Sequence, residues 1–383
     1  MKKALTFAVC FLLLCGMVLL PSCTASGDDY YVDLPPNWTP AARLPDDAII
    51  LNDEIGIPDV ALYIAVLSAI EGGRASHFGR TGEGTFTAGE AAAVTSIRIN
   101  VHGSTHPDLD SSDLRWQPPR NLRGVEHLRN LEELRLSLEQ ERGLRGGLDN
   151  YNELKRLEHL PYLRTLIFVD LLSLYYSPDN PPEFLRDLRP LQNLTQLTRL
   201  NMYVDGLTSL DGIQNLTNLE YLSVRTTNVN VTGVLVNLRG IEHLTNLRDL
   251  NVSRGQLTNL DEVRYLVNLT SLWVSNNQLA DISAVAHLKN LENLDVSQNQ
   301  LTNLSDVRNL VNLTNLAANH NQLTNLDDVR NLVNLTRLMA RENPLTDASA
   351  VSYLPNLHFF DARSGFLSDT NPDFYFDLRR ETS

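Results

Sequence analysis

A leucine returns every 22 residues along the most regular stretch of this 383-residue chain. Blocks begin with Leu247, Leu269, Leu291, Leu313 and Leu335, and the next begins with Leu357. Inside the block that starts at 291, apolar residues stand at Leu291, Leu294, Val296, Leu301, Leu304, Val307 and Leu310. One such block is too short to bury its own apolar side chains, so it is stable only when stacked on neighbours of the same build. A period this short, repeated this often, constrains the chain to an elongated solenoid, one long domain in place of two or three compact ones.

The block reads Leu291-x-x-Leu294-x-Val296-x-x-Asn299-x-Leu301. This is the leucine-rich repeat pattern, in which the first half is a strand and the second returns along the opposite side. Alternation within the strand turns Leu294 and Val296 inward and residues 293, 295 and 297 outward onto the concave face. Leu301, Leu304, Val307 and Leu310 turn inward from the convex side, and their step of three predicts 3-10 turns. Asn277, Asn299, Asn321 and Asn343 recur where an inward amide can satisfy the backbone of the bend. The same core pattern begins earlier at Val94, Leu131, Leu163, Leu197 and Leu219, giving eleven strand starts and about ten complete repeats. At about 4.8 Å per strand the sheet is expected to run roughly 50 Å. The expected class is therefore α/β: a leucine-rich repeat solenoid with a parallel β-sheet on its concave side and 3-10 or irregular turns on its convex side.

The chain opens with Met1-Lys2-Lys3 and an uncharged apolar run from Ala4 to Leu20, the build of an export signal. An uncleaved spanning helix is the alternative, since such a helix takes roughly 20 apolar residues. Leu20-Pro21-Ser22-Cys23 resembles the lipobox of bacterial lipoproteins, although Pro21 departs from it. That resemblance implies cleavage after residue 22 and a lipid on Cys23; plain secretion is the competing reading. Thr24 in place of aspartate after the cysteine points to the outer membrane or cell surface, if the organism has two membranes. All three cysteines, Cys10, Cys15 and Cys23, lie in this segment, so nothing after it can form an intrachain disulfide or a thiolate metal site. Residues 23–45, rich in Pro and Asp, read as a tether.

Residues 46–94 have a different texture. Pro58 precedes a helix-like apolar spacing through Ile70, Gly72-Gly73 ends it, and Thr87-x-x-Glu90 is a capping box opening a second short helix from Ala88 to about Val94. Ile57-Pro58-Asp59-Val60 and Phe86-Thr87-Ala88-Gly89-Glu90, followed by Thr95-Ser96-Ile97, resemble the helical N-terminal cap of internalin-type bacterial repeat proteins. The resemblance spans roughly residues 57–363. It implies a helical cap, taking in 46–94, repeats over 95–363 and binding of a surface molecule; the apolar residues of Asn371-Pro372-Asp373-Phe374-Tyr375-Phe376-Asp377-Leu378 are enough to close the open end within 364–383. The glycine-rich loop Gly79-Arg80-Thr81-Gly82-Glu83-Gly84 lacks the Gly-Lys-Ser/Thr ending of a phosphate loop.

The formal net charge is −14, and it falls to −16 without residues 1–22, which contain Lys2 and Lys3 and no acid. Such a balance argues against nucleic acid, which is bound through Lys and Arg. No catalytic or calcium-binding motif is present, and no enzyme is expected. His127, His159, His243 and His287 share one repeat position, which marks them as structural, and His102 with His106 has no third ligand; no metal and no cofactor are expected.

Binding remains. The early repeats are ragged, and their extra residues fall at 102–119, 139–152, 171–183 and 226–235, each directly after a strand, so these inserts are expected on one rim. Most outward strand residues are small or polar, among them Ser96, Ser223, Asn251, Ser275, Asn293 and Ala317. Against them stand Arg199, Tyr203, Tyr221, Arg225 and Trp273, with Trp116, Tyr175 and Tyr176 in the inserts. Aromatics and arginine carry most interface energy, so these eight are the candidate ligand-binding residues. A second group, Arg337, Met339, Arg341, Phe359 and Arg363, borders the C-terminal end. The expectation is a monomeric, non-enzymatic surface lipoprotein held to the membrane by its N-terminal lipid. Its concave face and one rim bind another protein, on a host or in the envelope. The alternatives are a structural or assembly role in the envelope and a glycan-binding module.

Overall fold

The computed structural model describes residues 46, 48–50, 60–70, 86–100, 121–137, 148, 150–170, 185–226, 234–363 and 375–377. The chain divides into two compact units, 1–41 and 42–383, and every described residue lies in the second.

That unit begins with a small cap. Strand β1 (Ile49–Ile50) pairs antiparallel with β2 (Phe86–Thr87), a two-residue ribbon without a sequence signal of its own. Helix α1 (Val60–Ile70) covers the first strand of the array, and Tyr63 packs its ring 5.0 Å from Phe86 while its hydroxyl donates to the Ile50 carbonyl. Helix α2 (Ala88–Ala92) opens with the capping box: the Glu90 N–H donates to Thr87 Oγ1 at 3.2 Å and the Thr87 N–H to Glu90 Oε2 at 2.7 Å. The helix stops two residues short of the expected Val94, which is buried beneath it in the core.

The array follows. Its first strands are β3 (Ser96–Asn100), β4 (Glu133–Ser137), β5 (Thr165–Asp170), β6 (Arg199–Val204) and β7 (Tyr221–Arg225). The regular half supplies β8 (Asp249–Asn251), β9 (Ser271–Trp273) and β10 (Asn293–Asp295). Its last members are β11 (Asn315–Ala317), β12 (Arg337–Met339) and β13 (Phe359–Asp361). These eleven are parallel and stand in sequence order in one sheet. Each starts two residues after a leading residue read from the repeat. A twelfth, β14 (Tyr375–Asp377), pairs antiparallel with β13 at the end of the sheet.

The returning side is a row of short 3-10 helices, such as Ser283–His287 and Ser305–Val307. Between sheet and turns runs one continuous apolar core from Ile50 to Ala362. Leu291, Val296, Val307 and Leu310 have no solvent exposure, and full burial of a leucine or valine is worth about 1.5–3 kcal/mol. The asparagine ladder binds successive repeats. Asn299 accepts from the Leu279 N–H through Oδ1, at 3.0 Å, and donates through Nδ2 to the Val274 and Val296 carbonyls. Asn277, Asn321 and Asn343 make the same bonds one repeat apart.

Strand length differs between the halves. In the regular repeats the chain turns out of the sheet at a left-handed residue, Arg254, Asn276, Gln298, His320 or Glu342. Their strands are therefore three residues long, whereas β3–β7 run for five or six. The sheet is widest in the ragged half.

Candidate binding site on the concave face

Cross-strand register turns the outward positions into three rows. The first runs Ser96, Glu133, Thr165, Arg199, Tyr221, Asp249, Ser271. The second runs Arg98, Arg135, Ile167, Asn201, Ser223, Asn251, Trp273, Asp295. The third exists as strand only in the ragged half: Asn100, Ser137, Val169, Tyr203, Arg225.

On β6 and β7 these rows build a clasp. Arg199 and Tyr221 are direct register partners, and the guanidinium lies over the phenol ring at 3.8 Å from its centroid. Four residues further along the same strands the order is reversed, with Arg225 over the Tyr203 ring at 5.2 Å. A cation over an aromatic face is held by the ring quadrupole, by about 0.5–1 kcal/mol at exposed sites. Between the two stacks lie Asn201 and Ser223. Ser223 faces outward as its register requires, yet it is fully buried beneath its neighbours; the expectation that it lines open surface is corrected by that cover. Asn201 Oδ1, Ser223 Oγ and Arg225 Nε are all buried and have no hydrogen-bond partner. Buried polar atoms are nearly always satisfied, and leaving one unmade costs roughly 1–3 kcal/mol. Two of these atoms lie between the stacks and the third belongs to one of them, so the polar groups of the clasp are incompletely paired within the chain.

Of the eight candidate residues, four thus come together as two pairs. Trp273 is half-buried in the middle row on β9, two strands and about 10 Å from β7. Trp116, Tyr175 and Tyr176 lie outside the described residues, as does Cys23. The inserts are likewise mostly outside them, but β3, β4, β5 and β7, from which the chain enters them, end in register on one side of the sheet. Arg98, Arg135, Asn201 and Ser223 complete the site; counting outward positions at fixed offsets from each leading leucine finds them.

The second group behaves differently. Arg337 lies 5.3 Å from the Phe359 ring centroid, and Arg341 and Arg363 both bond the fully buried Asp361. Arg341 and Arg363 thus share one carboxylate within the fold, while Arg337 is stacked on a ring. The four repeat histidines each close a 3-10 helix on the convex side. Among the described residues no group of three or more His, Cys, Asp or Glu side chains converges as a metal site.

A leucine-rich repeat family model of two repeat copies matches residues 267–310. The repeats are leucine-rich repeats. A search of curated proteins finds no match. Among solved structures, the functional domain of InlJ from Listeria monocytogenes is similar at 21% identity and a TM-score of 0.52, with 84% of this chain and 62% of that one covered. An internalin, InlF, from the same organism gives 22% identity and a TM-score of 0.42, covering 82% of this chain and 96% of its own. The plant peptide hormone receptor RGFR1 in complex with RGF2 gives 20% identity and 0.45, covering 63% and 37%. At these identities the likeness is one of fold.

Proposed function

We propose that this chain is a non-enzymatic, lipid-anchored bacterial surface protein that recognises another protein through the concave face of its leucine-rich repeats and the adjoining rim. The observation that carries the reading is the β6–β7 clasp, where ordered aromatic and arginine side chains surround buried polar atoms without partners. Large, rigid side chains of this kind dominate protein interfaces. The internalin resemblance of the cap and repeats supports the same reading, as does the solenoid form, which offers an extended binding surface.

In this account residues 1–22 are an export signal, Cys23 carries the lipid and residues 23–45 are the tether. The cap takes in 46–94, the repeats 95–363 and the closing segment 364–383. No helix among the described residues is long and apolar enough to cross a membrane. The mature chain is a monomer and needs no cofactor or metal. Metabolic labelling with palmitate tests the anchor: label enters the wild type and is lost in Cys23→Ala. Label persisting in that variant removes the anchor from the account.

Protein and glycan arrays probed with the full-length chain test the recognition reading. Binding to one or a few proteins, lost on Tyr221→Ala with Trp273→Ala, is the expected result. Binding confined to glycans, or protein binding indifferent to both substitutions, overturns it.

A further inference from the structure

The chemistry of the clasp is specific enough to name what its partner presents. Arg98, Arg135, Arg199 and Arg225 all face outward on β3, β4, β6 and β7, and among the described residues none of them pairs with a carboxylate. The contrast lies on the returning side, where Arg264 pairs with Asp261 at 2.6 Å and Arg308 with Asp328 at 2.5 Å. The cationic zone is a local property, since the chain as a whole carries a net charge of −14. Glu133 is the one acid among the outward positions of β3–β7, and beyond β7 the outward acids Asp249 and Asp295 close the zone.

Stacking on Tyr221 and Tyr203 holds Arg199 and Arg225 in place and occupies the faces of their guanidinium groups. Arg225 Nε is buried, so a ligand is left the terminal nitrogens, and the planar fork of an arginine matches a carboxylate in two parallel bonds. An ordered side chain also loses less freedom on binding. Arg199 stands on β6 level with Tyr221, and Arg225 stands four residues further along β7. Four residues of extended chain rise about 13 Å, which separates the two arginines along the strand direction. In an extended segment laid along the strands, residues i, i+2 and i+4 face the same way. Positions i and i+4 then meet the two arginines, and position i+2 lies over Asn201.

We propose that the clasp binds an extended acidic segment of a partner protein, with carboxylates four residues apart on Arg199 and Arg225. The residue midway between them lies over Asn201, which is part-exposed. This rests on the protein-recognition reading above and adds the chemistry of the partner. It is a statement about carboxylate side chains, not about anions in general.

The test uses the full-length chain and fluorescein-labelled peptides containing Glu-Ser-Asn-Ser-Glu, Gln-Ser-Asn-Ser-Gln or Lys-Ser-Asn-Ser-Lys, read by fluorescence anisotropy. The glutamate peptide is expected to bind at least about tenfold more tightly than the glutamine peptide, the preference shrinking as salt rises. Arg199→Met with Arg225→Met abolishes the preference. Arg199→Lys, which keeps the charge and loses the fork, removes most of it. Arg337→Met, on β12 outside the clasp, leaves it unchanged. Thermal unfolding of each variant shows that the fold is kept. Equal binding of the glutamate and glutamine peptides, no binding of either, or a preference that survives the double substitution overturns the inference. Tighter binding of a sulfated oligosaccharide than of the glutamate peptide overturns it as well. The array experiment stands apart: a protein partner lost with Tyr221 and Trp273 but indifferent to both arginines keeps the recognition reading and removes the acidic one.

Discussion

Single residues decide how one repeat is fastened to the next. Truncating Asn299 to alanine strands the buried Leu279 N–H, at roughly 1–3 kcal/mol for a group left unmade, while the Val274 and Val296 carbonyls keep the amides of Asn277 and Asn321. Asn290 makes one exposed bond, to the Val267 carbonyl at 3.0 Å, and its removal is expected to cost less than about 1 kcal/mol. Urea unfolding of Asn299→Ala and Asn290→Ala checks both, and similar losses contradict the distinction. Gly255 stands where the ladder asparagine is missing. A Cβ there would approach Asn277 Oδ1 to 2.8 Å and the Leu235 carbonyl to 3.0 Å, so Gly255→Ala is expected to destabilise by about 1–3 kcal/mol through crowding. Asp361 makes the fold sensitive to acid. Burial pushes its carboxyl up, but hydrogen bonds from Arg363 and Arg341 outweigh this and hold it below the ordinary carboxylate range. Because the folded value lies under the unfolded one, its contribution is complete above about pH 4 and is lost as pH falls through the folded value. Unfolding followed against pH is expected to show a shallower acid loss for Asp361→Asn than for wild type.

At the scale of elements, the core pattern of the 22-residue blocks, followed back into the ragged repeats, located every strand of the parallel sheet, because Leu-x-x-Leu-x-Φ is a strand whose alternate side chains must be buried. The same register is the ground for expecting Leu294→Ala to cost roughly 2–5 kcal/mol by leaving a cavity, measurable by denaturant unfolding. The capping box at Thr87 and Glu90 was legible for a similar reason: its two bonds join residues at a fixed spacing. What escaped the sequence was non-local. The pairing of β1 with β2 joins short segments 37 residues apart, and β14 forms by pairing backwards onto β13. A second ladder was also missed, in which Asn218, Asn246, Asn268, Asn290, Asn312, Asn334 and Asn356 each donate to a carbonyl of the preceding repeat. Its signal is an asparagine directly before each leading leucine. At the site, the outward arginines and tyrosines were legible from alternation, but their reciprocal stacking depends on which strands lie side by side, and the cover over Ser223 depends on both.

At the scale of the whole array, each repeat in residues 95–363 stacks on its neighbours, so the two ends of the stack need cover. Helix α1 lies against β3, and β14 pairs with β13. Removing residues 364–383 leaves the β13 edge unpaired, and an open strand edge is a template for association. Sedimentation of that truncated chain is expected to show concentration-dependent association, and a monomer at all concentrations contradicts this role for β14. The division of labour between the halves is the central point. The narrow, regular strands β8–β13 are fastened by asparagine ladders, while the wide strands β3–β7 carry unpaired arginines and the clasp. Hydrogen-exchange mass spectrometry of the full-length chain, alone and saturated with a protein partner found on the arrays, tests this most directly. The expected result is added protection confined to the ragged half, strongest over Arg199–Val204 and Tyr221–Arg225; protection centred on the convex 3-10 helices or on β10–β13 contradicts it.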